Sequence, residues 1–281
     1  MSKQPERIWT DRELQGLGNT VITLRKIRTA ATAQMELPKA GFSGFLSRRF
    51  GDDRFPAPEN RLAVLEDAER LGFAAGDYLA TRLAHERRDP ELLGQWESSI
   101  SETTTKYGSF PGTTFAKTNN LDVIGSTLSR MRMIVGDPEH MMRWDLLENN
   151  RLGVSTIDDL SERDIHIIAP LSGDFLIACV YQATLEKTRG ETFKLRAAAL
   201  SRNLGGAVLA PIETGEQTEI GIFMDVIDTT RTGTALHKAL MQAYPLATIH
   251  LPSSTPTNDV PFKPSARLIR RFGAEAFPNS G

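Results

Sequence analysis

The stretch that decides the fold begins Gly205-Gly206-Ala207-Val208-Leu209-Ala210-Pro211-Ile212 and passes a polar turn at Glu213-Thr214-Gly215-Glu216-Gln217. It continues as Thr218-Glu219-Ile220-Gly221-Ile222-Phe223-Met224-Asp225-Val226-Ile227-Asp228. Two β-rich segments a turn's length apart, bounded by glycine and acidic residues, read as a hairpin. Beyond them, residues 232–244 place Leu236, Leu240 and Met241 on one side of a short helix, and residues 246–251 read as a last strand. Upstream, Ile165–Leu171 and Phe175–Tyr181 flank Ser172-Gly173-Asp174 and read as a second hairpin. Residues 193–203 stay open between helix and strand, with the alanines favouring helix.

The N-terminal half has a different pattern. Leu14, Leu17, Val21, Leu24 and Ile27 fall on one face of a helix over about 11–33. Thr10 is placed to cap it, with Glu13 three residues on to complete a capping box. Pro and Gly punctuate residues 34–61. A second long helix over about 59–87 carries Leu62, Leu65, Leu71, Leu79 and Leu83, with a break expected at Gly72 or Gly76 and an acidic exposed face of Glu66, Asp67 and Glu69. Residues 98–120, rich in Ser, Thr, Gly and Lys, read as a linker or long loop. Helices are expected at about 121–132 and 138–148, with Met131, Met133, Met141 and Met142 as adaptable core filler. The expected fold class is α+β: a helical part over 1–97, the linker, an antiparallel-sheet domain over 121–251, and a basic tail over 252–281.

Composition sets outer bounds. The chain has 281 residues, 40% hydrophobic and 24% charged, enough to bury a core and near the globular average. A net charge of −2 gives no global pull toward nucleic acid or membrane. Residues 1–50 nevertheless hold nine Lys/Arg against four Asp/Glu, a local basic excess. The single cysteine, Cys179, lies in an apolar run and reads as a buried, inert thiol. A polar N-terminus and the lack of a long uncharged stretch point to a cytoplasmic protein without a membrane partner.

No Cys pair, His-Glu-x-x-His or calcium-loop spacing appears, so no metal is expected. The glycine patterns that cradle nucleotide phosphates are absent, and the sequence names no cofactor. His166 and His250 each stand in an apolar strand. Two-histidine phosphoesterases use such a pair as general acid and base, each histidine followed two residues later by Thr or Ser. Here those positions are Ile168 and Pro252, so this enzymatic reading is an alternative that lacks its phosphate-holding hydroxyls.

Two resemblances complete the reading. The stretch Leu24-Arg25-Lys26-Ile27-Arg28, Gln34-Met35-Glu36-Leu37, Ser43, Leu46-Ser47-Arg48, Arg54-Phe55-Pro56, Leu62–Leu65 and Leu71-Gly72 resembles lambda-repressor-type helix-turn-helix regulators over residues 24–72. Pro38 falls where that family has a helical alanine, and the spacing from Leu37 to Ser47 is short by at least two residues. The resemblance implies DNA contact: the segment from Ser43 through Arg48 and Arg49 in the major groove, and Arg25, Lys26 and Arg28 near phosphates. Residues 220–230 resemble the closing strand of PAS sensory domains, which implies an antiparallel sheet packing a small ligand. The expectation is a homodimeric DNA-binding transcriptional regulator whose sheet domain senses a small molecule or dimerises. A non-catalytic assembly protein is the third possibility.

Overall fold

The computed structural model of the protein describes residues 9–32, 61–107, 120–142, 165–190, 193–201, 206–215, 217–224 and 230–250. Five helices come first: α1 (Asp11–Thr32), α2 (Arg61–His85), α3 (Pro90–Tyr107), α4 (Asn120–Gly136) and α5 (Pro138–Met142). Then follow β1 (Ile165–Pro170), α6 (Gly173–Arg189), β2 (Lys194–Leu200), β3 (Ala207–Leu209), β4 (Glu219–Ile222), α7 (Thr230–Ala243) and β5 (Thr248–His250). The chain is therefore α+β, a helical N-terminal part followed by a sheet.

The start of α1 is the capping box the sequence predicts. Thr10 N–H donates to Glu13 Oε2 at 2.8 Å, and Glu13 N–H donates to Thr10 Oγ1 at 3.3 Å. Glu13 is also fully buried and accepts at Oε1 from Tyr78 Oη at 2.5 Å and Arg82 Nε at 2.8 Å. Trp96 stacks on Tyr78 at 5.1 Å and donates from Nε1 to Thr20 Oγ1 at 2.9 Å. One carboxylate and one indole thus join α1, α2 and α3.

α2 runs unbroken through Gly72 and Gly76, where a break was expected. Both glycines are points of close approach to α6. A Cβ on Gly76 would stand 2.7 Å from the Cys179 carbonyl oxygen, and one on Gly72 would stand 2.4 Å from Phe175 Cε1. Side-chain-free positions four apart face the same way and let the two helices meet backbone to backbone. The Cys179 thiol lies in this contact, fully buried, and burial raises its pKa.

The acidic face expected on α2 is largely turned inward. Asp67 accepts from Tyr107 Oη at 2.6 Å and Lys106 Nζ at 2.5 Å, tying α2 to the end of α3. Glu69 Oε1 accepts from Ala197 N–H at 2.9 Å and Arg196 Nε at 3.0 Å. Burial pushes the Glu69 carboxyl above its usual range, against these hydrogen bonds. The bond from Ala197 N–H satisfies the edge of β2 beyond its pairing with β3, an edge that would otherwise offer an open template.

Two further expectations are corrected. Residues 98–107 are helix, not linker: Asp89 Oδ1 accepts from Glu91 N–H and Leu92 N–H at 3.0 and 3.1 Å, with Pro90 opening the first turn. The hydroxyls that suggested a loop bond back along the helix, as Thr105 Oγ1 does to Ser101 O at 2.8 Å. Residues 108–119 and the tail from 251 lie outside the described residues. Phe175–Tyr181 is the interior of α6, not a hairpin strand. Ser172 caps that helix through Asp174 N–H at 3.2 Å, and Gly190 closes it at φ 73° with its N–H on Glu186 O.

The sheet is mixed, in the order β3-β2-β1-β4-β5. Three pairings are parallel, β1 with β2, β1 with β4 and β4 with β5, and only β2 with β3 is antiparallel. The expected hairpin between 206–212 and 218–228 does not form, because β2 and β1 lie between β3 and β4. Ile220, Gly221 and Ile222 are all buried, the mark of a strand covered on both faces rather than an alternating one. Residues 194–200 are strand, although their alanines favour helix: Ala197, Ala198 and Ala199 sit at the centre, where small side chains let helices close on both faces.

One face of the sheet carries Ile165, Ile167, Ala169, Leu195, Ala197 and Ala199. These share one apolar cluster with α1, α2, α4 and α6, from Leu17 and Leu24 through Leu71 and Leu79 to Tyr181 and Phe223. The other face, with Ile168, Ala198, Leu200, Ile220 and Ile222, is covered by Leu236, Leu240 and Tyr244 of α7 and its C-terminal end. The helical part and the sheet part therefore share a core, so the division at 98–120 is not a division of the interior.

Two outcomes test these contacts. Gly76→Ala lowers stability by about 1–3 kcal/mol through overpacking, whereas Gly94→Ala, whose Cβ meets nothing within 4 Å on the exposed side of α3, raises it by up to about 1 kcal/mol; thermal unfolding of both variants gives the comparison. Burial alone would raise the Glu13 pKa, but hydrogen bonds from Thr10, Tyr78 and Arg82 outweigh it and hold the group at about 2. The folded-state pKa is below the usual carboxylate value, so this stabilisation is complete above about 4.5 and is lost as pH falls toward 2. Denaturant midpoints measured from pH 6 down to about pH 2.5 fall steeply in the wild type and less steeply in Glu13→Gln, if that variant folds at neutral pH.

Candidate functional site

The connections of the parallel strands define where a ligand can sit. β1 leads through α6 to β2 on one side, and β4 leads through α7 to β5 on the other. Crossovers of one hand that run in opposite directions put their helices on opposite faces. The two apolar clusters place α6 and α7 in that way. Between β1 and β4 the chain thus departs both ways, and the crevice beyond the carboxyl ends of these strands is the place where open α/β sheets bind ligands.

Two helix starts flank this crest. Ile168 is in register with Ile222, and Phe223 N–H donates to Ile168 O at 2.9 Å, so the ends of β1 and β4 lie side by side at the crest. The turn after β1 is Leu171-Ser172-Gly173-Asp174. Ser172 Oγ is hydrogen-bonded to the Asp174 carboxylate and, at 3.2 Å, to Pro170 O. A Cβ added at Gly173 would meet nothing within 4 Å, so the start of α6 faces open space.

The first turn of α7 is Thr230-Arg231-Thr232-Gly233, followed by Thr234. The two helix starts differ in charge. α6 carries Asp174 in its first turn, whereas α7 has no acidic residue there. A helix N-terminus presents roughly half a positive charge. At α6 the protein's own carboxylate offsets it; at α7 no first-turn acid does.

Among the described residues, none of those singled out from the sequence stands at this crest. Arg25 is exposed on α1, Lys26 and Arg28 are half-buried there, and burial lowers the Lys26 pKa. Ser43, Arg48 and Arg49 lie outside the described residues. His166 is in register with Ile220, which is in register with Ile249, so His250 stands one residue further along β5 and on the opposite face. His250 Nε2 is 2.9 Å from Glu219 Oε2 instead. The single cleft that two-histidine chemistry needs is therefore not formed by this pair.

The residues that do flank the crest carry a signal in the sequence. Ser172 ahead of a Gly-Asp pair is a helix-start pattern, and a hydroxyl-rich run with one arginine, Thr229-Thr230-Arg231-Thr232, comes seven residues after the end of β4. Among the described residues no group of three or more His, Cys, Asp or Glu could hold a metal ion, and no helix is long and apolar enough to cross a membrane. No protein-family model matches the chain, and no curated protein or solved structure is similar to it.

Proposed function

We propose that the chain binds a phosphate-bearing small molecule at the crest between β1 and β4, with the phosphate at the start of α7. The observation that carries this reading is the strand order, with α6 and α7 leaving adjacent parallel strands in opposite directions. Charge decides which helix takes which part of the ligand. The first turn of α7 holds no acidic residue, and the positive end of a helix suits an anion. The Ser172–Asp174 pair at the start of α6 suits a hydroxyl or amine on the remainder of the ligand, because its carboxylate accepts hydrogen bonds.

Phosphorus NMR of inorganic phosphate titrated with the full chain tests this, with sulfate and chloride as competitors. Saturable line broadening is expected, reversed by sulfate and not by chloride. Phosphate signals that stay sharp at millimolar protein would overturn the reading.

A second reading, DNA contact through the basic segment near the N-terminus, is favoured by one observation: Arg25 projects from α1 exposed, beside half-buried Lys26. In that reading the ligand-binding sheet is the sensory part of a regulator. Arg25→Ala with Arg48→Ala and Arg49→Ala then weakens retention of random duplex DNA at low salt and flattens its salt dependence, read by fluorescence polarisation at two salt concentrations. Retention equal to that of the wild type counts against it.

A further inference from the structure

We draw no further inference here: the strongest candidate, the outer edge of β5 at the end of the sheet with the exposed Met241 and Leu246 ahead of it, carries none, because nothing in the structure shows what covers it.

Discussion

The close approach of α2 to α6 at Gly72 and Gly76 is the constraint on which the rest of the structure depends. Two helices in contact at side-chain-free positions have little room to slide or separate, because the contact is backbone against backbone at Cys179. α6 is at the same time the crossover between β1 and β2, so whatever fixes it also fixes the centre of the sheet. α1 and α3 then pack on α2, and α4 packs on α6. The N-terminal helices are in this way part of the layer that covers one face of the sheet.

Buried polar groups reinforce that arrangement at places where apolar packing alone would leave backbone or charge unsatisfied. Glu13 serves its own helix start and two side chains of α2. Asp67 holds the end of α3, and Glu69 reaches from α2 to a strand N–H that has no strand partner on that side among the described residues. Each is a carboxylate with several donors, the condition under which a buried charge does not destabilise the fold. All three also join elements far apart in sequence, so they specify which helix lies where as well as contributing stability.

Legibility in the sequence varied with the physics of each element. Thr10 and Glu13 gave the start of α1 because a capping box is local, and Leu236 with Leu240 gave α7 because one helix face is buried and the other is wet. α6 was misread because it is covered on nearly every side: Phe175 to Tyr181 are all buried, so no periodicity survives to tell helix from strand. The alanines of β2 misled for the converse reason, since their small size answers to the helices packed above and below rather than to helix propensity. Gly72 and Gly76 look like breaks until the partner helix is known, and Asp67 and Glu69 look like a solvated face until their donors are. The crest was legible only in part. Ser172 and the run Thr230–Thr234 announce helix starts, but their proximity follows from strand order, which is set by pairings between residues as distant as Ile165 and Glu219.

The central claim is that helices and sheet form one cooperative unit through the α2–α6 contact. Native-state hydrogen exchange across a denaturant series measures this directly. The account predicts that the amides of Leu71–Gly76 in α2 and of Ile167–Ala169 in β1 merge onto one opening free energy, equal to that of global unfolding. Amides of α1–α3 that open together at lower denaturant while β1 stays protected would contradict it.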